Sequence, residues 1–199
     1  MKISIALVRQ RLAALGAPPP SEEPGARAAV ALVLREARDA EGDVSAEILF
    51  IRRAEDPLDP WSGHMAFPGG RADEADRGDS MTTALRETEE ELGLSLREHG
   101  EPLGKLPELP AIARGRRVGL VIAPHVFALH HDVELSPSEE VAEALWWPLS
   151  PLAGGELRTI YPYVFEGRRL ELPGHLLGER VVWGLTYQML EMFFERMRG

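Results

Sequence analysis

The chain has no cysteine, and this absence excludes three kinds of site at once. Disulfide bonds, thiolate nucleophiles and cysteine-ligated zinc all need that side chain. A reducing compartment suits such a chain, so we expect a cytoplasmic protein.

Long apolar runs are also missing. No segment approaches the roughly 20 apolar residues that a membrane span needs. The N-terminal stretch MKISIALVRQRLAALG is interrupted by Arg9 and Arg11, so it lacks the apolar centre of a signal peptide. We expect no membrane association.

Positive charge is the third shortage. Lysine and arginine number 22 against 32 aspartates and glutamates, which leaves a net charge of -10. A surface of this kind is not built to neutralise a nucleic-acid backbone, and we expect no nucleic-acid partner. A polyanionic small molecule would have to be held locally, by a few arginines and a metal ion.

A chain of 199 residues with 44% hydrophobic residues can bury one sizeable core, so one domain is expected. Apolar residues at helical spacing predict a helix within residues 1–17, which Gly16 and the prolines after it end. Residues 18–27 have the composition of a linker, and the main domain is predicted to span 28–199. The N-terminal helix would serve dimerisation, giving a homodimer, or cover a substrate; the sequence leaves both open.

The rest of the chain alternates strand and helix patterns. Strands are predicted at 28–37, 46–54, 117–129, 143–149 and 158–166, with a hairpin loop at 38–45. A helix is predicted from about Ser80 to Leu92, between an N-cap at Asp79 or Ser80 and a stop at Gly93. A closing helix is predicted at 181–197. Strands interleaved with helices predict an α/β layered domain.

The helix at 80–92 has one apolar face and one acidic face. Glu87, Glu90 and Glu91 lie on the acidic side at positions i, i+3 and i+4, where their carboxylates converge and repel one another. A hard divalent cation, magnesium or manganese, suits such a group of oxygen ligands. An acidic helix face is more often simply solvated, so the flanking residues decide between the two interpretations. Arg86, one turn from Glu90, can pair with a carboxylate there.

Immediately upstream, Gly69 and Gly70 can let the backbone pass close to phosphate oxygens, although a plain turn is the commoner use of paired glycines. Arg71 follows them, and Arg52 and Arg53 end the second predicted strand. These arginines are candidates for binding phosphate, with ordinary exposed arginines as the alternative.

The run Arg86-Glu87-Thr88-Glu89-Glu90-Glu91-Leu92-Gly93-Leu94 resembles the second half of the Nudix box, G-x5-E-x7-R-E-U-x-E-E-x-G-U, where U is a bulky apolar residue. The segment EALWWPL at 143–149 is similar to the usual end of a Nudix domain. The first half of the box departs from the pattern, since sixteen residues separate Gly70 from Arg86 where the family has fourteen. We infer a two-residue insertion, which leaves the first acid of the box open among Asp73, Glu74 and Asp76.

This resemblance implies an α/β/α sandwich with a mixed β-sheet, to which the N-terminal helix is added. It implies a catalytic set of Arg86, Glu87, Glu90 and Glu91, of which the three glutamates bind Mg²⁺ or Mn²⁺ and one doubles as a base. The implied activity is hydrolysis of the diphosphate in a nucleoside diphosphate linked to another group X, with a metal-activated water as the nucleophile. The substrate would be bound by residues near the box: Arg52, Arg53, Gly69, Gly70 and Arg71.

Other residues are weaker candidates. His64 is near the predicted site, but a loop histidine is more often a hydrogen-bonding spacer. Glu139, Glu140 and Glu143 are candidates for the loop base that some Nudix enzymes keep, with a simple acidic loop as the alternative. Trp146 and Trp147 can stack on a base, although at least one of them must belong to the core.

A subgroup is suggested by Leu49 to Ala54 followed by Gly63 and Phe67-Pro68-Gly69-Gly70, which is similar to the extended motif of coenzyme A pyrophosphatases, LLTxR(S/A)x3Rx3Gx3FPGG. The spacing is one residue longer, and the middle arginine of the motif is replaced by Leu58, Asp59, Pro60 and Trp61. Coenzyme A or a related ADP-linked compound is therefore the leading substrate, with other nucleotides such as ADP-ribose, nucleoside triphosphates and dinucleoside polyphosphates as alternatives. A catalytically inactive Nudix ligand sensor is disfavoured because the three box glutamates are retained.

Overall fold

The computed structural model describes residues 2–39, 41–57, 61–113 and 116–198. Leu58, Asp59 and Pro60, where the middle arginine of the coenzyme A motif is missing, lie outside these described residues. The helices are α1 (Ile5–Leu15), α2 (Ser80–Leu92), α3 (Leu96–His99), α4 (Leu149–Gly154) and α5 (Gly184–Arg198), and a single 3-10 turn covers Glu74–Asp76. The strands are β1 (Ala26–Arg38), β2 (Val44–Arg53), β3 (Met65–Ala66), β4 (Gly69–Arg71), β5 (Gly100–Lys105), β6 (Leu109–Ala113), β7 (Arg116–Leu129), β8 (Val141–Pro148), β9 (Arg158–Phe165), β10 (Arg168–Leu177) and β11 (Arg180–Trp183).

The main sheet is mixed. Its strand order is β3-β2-β1-β7-β5, with β4 paired to β1, β6 to β7 and β8 to β2. Strand β1 runs parallel to β7 and antiparallel to β2 and β4. A second sheet of three antiparallel strands has the order β11-β10-β9.

Helices cover both faces of the main sheet, and this explains the nearly continuous apolar run of β1. Successive side chains of a strand point to opposite faces, so Ala29, Ala31 and Val33 pack with α2. Their neighbours Val30, Leu32 and Leu34 belong to the core on the other face, which α1, α4 and α5 cover. The predicted α/β/α sandwich with a mixed sheet and an added N-terminal helix is confirmed.

Helix α1 packs onto the main core although a proline-rich segment separates it from β1. Ser4 caps the helix by accepting a hydrogen bond from the N–H of Leu7, and Ile5, Val8 and Leu12 are buried. Strand β1 begins at Ala26, inside the predicted linker, because Ala26 already pairs with Leu120 of β7. Dimerisation through α1 stays a prediction.

The C-terminal part differs from the sequence prediction. The predicted helix at 181–197 begins only at Gly184, because Val181, Val182 and Trp183 form β11. These β-branched and aromatic residues suit a pleated strand, and they pair with β10. Strand β10 itself, with the sequence RRLELPGHLL, carries no regular alternation and was not predicted. Within the described part of the chain, no helix is long and apolar enough to cross a membrane.

The packing of α1 can be tested with two matched leucines. Leu12 is 5% exposed in the core and Leu15, on the same helix, is 50% exposed. We expect Leu12→Ala to lower the free energy of unfolding by about 2–5 kcal/mol, because it leaves a cavity. Leu15→Ala should change it by less than about 0.5 kcal/mol. Urea unfolding measures both, and equal effects would contradict the placement of α1.

Candidate active site

The position of α2 determines where the box glutamates lie. Asp79 caps its N-terminus by accepting hydrogen bonds from the N–H groups of Met81 and Thr82, and Gly93 ends it in the left-handed conformation. The buried residues Ala84 and Leu92 pack against β1. The side of the helix that carries Glu87 and Glu91 then faces the short strand β4.

Glu91 is the most buried of the three box glutamates. Its side chain accepts a hydrogen bond from the N–H of Gly69 at 2.8 Å, and the residue is only 3% exposed. Burial raises the pKa of this carboxyl to about 7, and the nearby charges of Glu87 and Glu140 act in the same direction. Periodicity alone places Glu91 on the solvated acidic face, but β4 passes over it. Arg53 Nη1 lies 3.9 Å from its other oxygen.

Glu87 lies directly against Gly70. A Cβ added to Gly70 would be 2.4 Å from Oε2 of Glu87, so no other residue fits there without moving that carboxylate. Burial raises the pKa of Glu87, and the adjacent Arg86 opposes this rise. Gly69 has φ +148, and a Cβ there would meet the carbonyl oxygen of Ala29 at 2.2 Å. The two glycines therefore allow β4 to fit between β1 and α2.

Arg86 pairs with three acidic side chains in and near the box. Its Nε and Nη2 donate to the two carboxylate oxygens of Asp76 at 3.1 and 3.0 Å. Its Nη1 lies 2.9 Å from an oxygen of Glu87 and 2.9 Å from one of Glu90. A fourth partner is the carbonyl of Arg71, to which Nη2 donates at 3.0 Å, and this bond connects Arg86 to β4. Arg86 thus orients two glutamates and the strand beside them.

Asp73, Glu74 and Asp76 were the three candidates for the first acid of the box. Of these, Asp76 is the one that contacts Arg86. It is 2% exposed, and the Arg86 guanidinium holds the pKa of its carboxyl well below the usual range. Asp73 instead caps the 3-10 turn, in a reciprocal capping box with Asp76, and Glu74 is exposed. Asp76 therefore acts through Arg86, as a positioning residue.

A cleft of about 870 Å³ opens beside these residues, between the main sheet and the second sheet. Its charged end holds Arg53, Arg71, Glu87, Glu91 and Glu140, and Asp56 also lines the cleft. The remainder is largely apolar and is lined by side chains of β1, β6, β7, β9, β10, β11 and α5. No described residue of the segment 2–25 contributes to the lining, so α1 does not cover the cleft.

The structure brings six of the nine predicted site residues to this cleft: Arg53, Gly69, Gly70, Arg71, Glu87 and Glu91. The other three lie outside its lining. Arg52 points to Glu143, with Nε and Oε2 3.4 Å apart. Arg86 lies behind Glu87, and the side chain of Glu90 is 60% exposed and paired with Arg86.

Of the weaker candidate residues, some line the cleft and others do not. His64 and Glu140 line the cleft, whereas Glu139 is exposed outside it and Glu143 binds Arg52 and Arg180. Both tryptophans of the EALWWPL strand pack against the core instead of lining the cleft. The two that do line it are Trp61 and Trp183. Trp183 was missed because its segment resembles the start of a buried helix.

The charged end of the cleft suits a hard cation in its chemistry. Within residues 2–39, 41–57, 61–113 and 116–198, no three Asp, Glu or His side chains converge closely enough to hold an ion by themselves. Magnesium commonly binds one or two carboxylates and completes its shell with water and substrate phosphates, so a full protein cage is not required. Burial raises the carboxyl pKa values of both Glu87 and Glu91, which means that their charged forms are poorly stabilised. A cation bound by both carboxylates would stabilise those charged forms.

Comparison with known proteins adds to this geometry. A family model described as NUDIX domain matches residues 25–165. An uncharacterized protein of Schizosaccharomyces pombe is 40% identical over 115 residues, which are 56% of this chain and 35% of that protein. The human protein named mitochondrial coenzyme A diphosphatase NUDT8 is 35% identical over 130 residues, 65% of this chain and 53% of that one. The chain thus matches between about a third and about half of the length of these relatives.

Among solved structures, a MutT/nudix family protein from Enterococcus faecalis superimposes with a TM-score of 0.60 at 18% identity. The match covers 100% of this chain and 76% of that one. At this identity the likeness concerns the fold alone.

The close approach of Gly70 and Glu87 makes a specific prediction. We expect Gly70→Ala to displace the Glu87 carboxylate and weaken Mn²⁺ binding by about 10-fold or more, with little effect on unfolding, because a flexible side chain can yield. Gly69→Ala should instead destabilise the fold, since its new Cβ meets backbone atoms of Ala29 and Val30. Calorimetric Mn²⁺ titration and thermal unfolding separate the two effects. Unchanged Mn²⁺ affinity in folded Gly70→Ala protein would refute the first expectation.

The buried carboxyl of Glu91 predicts a pH dependence of stability without metal. Its pKa is raised from 4.5 in the unfolded chain to about 7. The folded state therefore binds the extra proton between these values, and stability falls as the pH rises through this window, by up to about 3 kcal/mol. Glu91→Gln removes this titration.

The measurement is urea unfolding in EDTA at pH 5 and pH 8. The loss of stability between the two pH values should be larger in the wild type than in Glu91→Gln, because other titrating groups contribute equally to both proteins. Added Mg²⁺ should restore stability at pH 8 in the wild type. Parallel pH curves for the two proteins would show that Glu91 does not titrate in this way.

Proposed function

The chain belongs to the Nudix hydrolase family, and we propose that it hydrolyses the diphosphate of a nucleoside diphosphate linked to X in a magnesium-dependent reaction, with coenzyme A or a derivative as the substrate. The observation that carries this proposal is the convergence of Glu87 and Glu91 with Arg53 and Arg71 at one end of a large, mostly apolar cleft. The charged end suits a diphosphate, and the apolar part suits the groups that the diphosphate joins.

The ion would be held by Glu87 and Glu91, with Glu90 as the third glutamate that the family resemblance assigns to it. When bound, Mg²⁺ would neutralise charge on the diphosphate and lower the pKa of a water molecule. The residues behind this site keep the carboxylates in place. Arg86 contacts both Glu87 and Glu90, and Asp76 fixes Arg86 through two hydrogen bonds.

Binding of the diphosphate falls to two arginines. Arg53 reaches toward Glu91 from the end of β2, and Arg71 lies at the exposed end of β4 beside Gly70. Both line the cleft, so each can contact phosphate oxygens next to the metal ligands. Arginine is suited to this role because its planar fork of donors matches a phosphate.

Two carboxylates that line the cleft, Glu91 and Glu140, are candidates for accepting the proton of the attacking water. Without a cation, burial raises the pKa of Glu91 to about 7, and a bound cation would lower that pKa again because it stabilises the charged carboxylate. Glu140 reaches the same end of the cleft from the loop before β8, and its carbonyl binds the N–H of Ala54 at 2.8 Å. A pH–rate profile of Glu140→Gln distinguishes them. Loss of the acidic limb, along which the rate rises as the base loses its proton, would assign the base to Glu140.

Coenzyme A is favoured over other nucleotides on two grounds. The relative from human mitochondria carries the name coenzyme A diphosphatase and is 35% identical over 130 residues. The segment from Leu49 to Gly70 is similar to the coenzyme A pyrophosphatase motif, with the departures noted above. Retention of Glu87, Glu90 and Glu91 favours an enzyme over a ligand sensor of the same fold.

The proposal predicts glutamate-dependent cleavage of coenzyme A. With Mg²⁺, the wild type should release 3′,5′-ADP and phosphopantetheine, and Glu87→Gln or Glu91→Gln should lower kcat by at least about 100-fold, because each removes a charge that the reaction needs. Glu89→Gln is the matched control, since Glu89 is exposed on the same helix and does not line the cleft.

The assay is chromatography of products from a panel of coenzyme A, ADP-ribose, NADH, dinucleoside polyphosphates and nucleoside triphosphates. Glutamate-dependent cleavage of another member alone would keep the reaction class and overturn the substrate. Absence of any turnover, with ligand binding retained, would favour the sensor function.

A further inference from the structure

Two different surfaces line the uncharged part of the cleft. One is aromatic and is formed by Tyr163 and Trp183, which lie beside His64. The other is aliphatic and begins with Ile112, Leu120 and Ile122 of the hairpin β6–β7. Leu170 and Leu172 of β10 also line the cleft, and because their cross-strand partners on β9 are Tyr163 and Tyr161, the two surfaces meet along this second hairpin. The two surfaces differ in the ligand groups that they can hold.

The aromatic surface is rigid and adjoins the glutamates. The indole of Trp183 stacks on Tyr161 with 4.2 Å between ring centroids and 13° between planes, and Tyr163 lies 5.2 Å away. The His64 ring meets the Trp183 indole edge-on at 4.7 Å. The carbonyl of His64 accepts a hydrogen bond from the N–H of Arg53, the residue whose guanidinium approaches Glu91. A planar base placed here would lie next to the phosphate-binding end.

The aliphatic surface begins at the same end and leads away from it. Register across β4, β1 and β7 places Arg71, Ala28 and Ile122 in one row of the sheet. From Ile122 the lining continues along β7 to Leu120, and Leu170 of β10 lines the same cleft. This surface therefore starts at a phosphate-binding arginine and extends toward the tips of the two hairpins.

Ile112 and Leu170 are unusual because they line the cleft and yet are 43% and 41% exposed. Large apolar side chains that remain in contact with water in a concave surface gain free energy when an apolar ligand covers them. A sugar would not provide this gain in free energy, because its hydroxyl groups are polar.

We propose that the cleft is divided into two subsites, with the base of the nucleotide on the aromatic surface and an extended, uncharged chain of X on the aliphatic surface. Resting on the proposed function, this assigns the pantetheine chain of coenzyme A to Ile112, Leu120, Ile122, Leu170 and Leu172. These residues select an X that is a long uncharged chain over an X that is a sugar. An acyl group on the thiol extends the chain along the same surface.

The test measures binding by calorimetry in EDTA, where the magnesium-dependent reaction is off, with 3′,5′-ADP, coenzyme A and octanoyl coenzyme A as probes. Ile112→Asp should weaken coenzyme A and octanoyl coenzyme A by about 10-fold or more and change 3′,5′-ADP by less than twofold, because Ile112 lies on β6, away from the aromatic surface. Val164→Asp is the control, because Val164 is 68% exposed on the face of the second sheet opposite to Tyr163 and Leu170. It should leave all three affinities unchanged.

The aromatic subsite is tested with Trp183→Leu and, in case that variant does not fold, with Tyr163→Leu. Either should weaken all three ligands by a similar factor, about 5-fold or more, since each probe contains the adenine. The ratio between octanoyl coenzyme A and coenzyme A should stay as in the wild type.

Three results would overturn the division. They are an equal loss of all three ligands in Ile112→Asp, the same losses in Val164→Asp, and wild-type protein that binds none of the probes. The proposed function fails independently of the subsites. If the protein binds the probes with the expected pattern but does not cleave coenzyme A, the two subsites exist and the proposed activity does not.

Discussion

The site depends on the burial of the Glu91 carboxylate against the N–H of Gly69. Burying a charged group is costly unless hydrogen bonds or an opposite charge compensate for it. Here one backbone donor at 2.8 Å and a guanidinium at 3.9 Å compensate only in part, and the carboxyl pKa remains near 7. A divalent cation bound here would supply the charge compensation that is missing. A well-compensated Glu91, with more donors around it, would form a more stable fold and a poorer metal site.

Around that carboxylate, rigidity comes from residues that do not line the cleft. The buried carboxylate of Asp76 accepts two hydrogen bonds from the half-buried Arg86, and Arg86 also pairs with Glu87 and Glu90. Removing one partner of such a buried pair leaves an uncompensated charge, so its members are coupled. The two extra residues before α2 fit into this arrangement because they are taken up in a 3-10 turn, where Asp73 and Asp76 cap each other. The altered spacing of the box therefore leaves its contacts intact.

Local patterns were sufficient to predict the layered α/β fold, the helix at 80–92 and the role of Arg86 as a partner of Glu90. They were insufficient where tertiary contacts decide. The burial of Glu91 follows from β4 passing over it, and periodicity places that residue in solvent. Arg52 and Arg53 cannot be told apart by position, since the alternation of β2 directs one to Glu143 and the other to the cleft. Trp183 belongs to a strand because β10 offers it a partner, and β10 has no clear sequence pattern of its own.

The second sheet, formed by β9, β10 and β11, contributes lining side chains but none of the acidic groups at the charged end of the cleft. The region that matches the family model ends at residue 165, at the end of β9. The acidic residues of the box helix and most of the cleft-lining side chains of this second sheet thus come from different stretches of one chain. Insertions or substitutions after residue 165 can therefore change the second sheet without altering the box helix. New substrate preferences in such a scaffold would arise downstream in the gene from the residues that perform the chemistry.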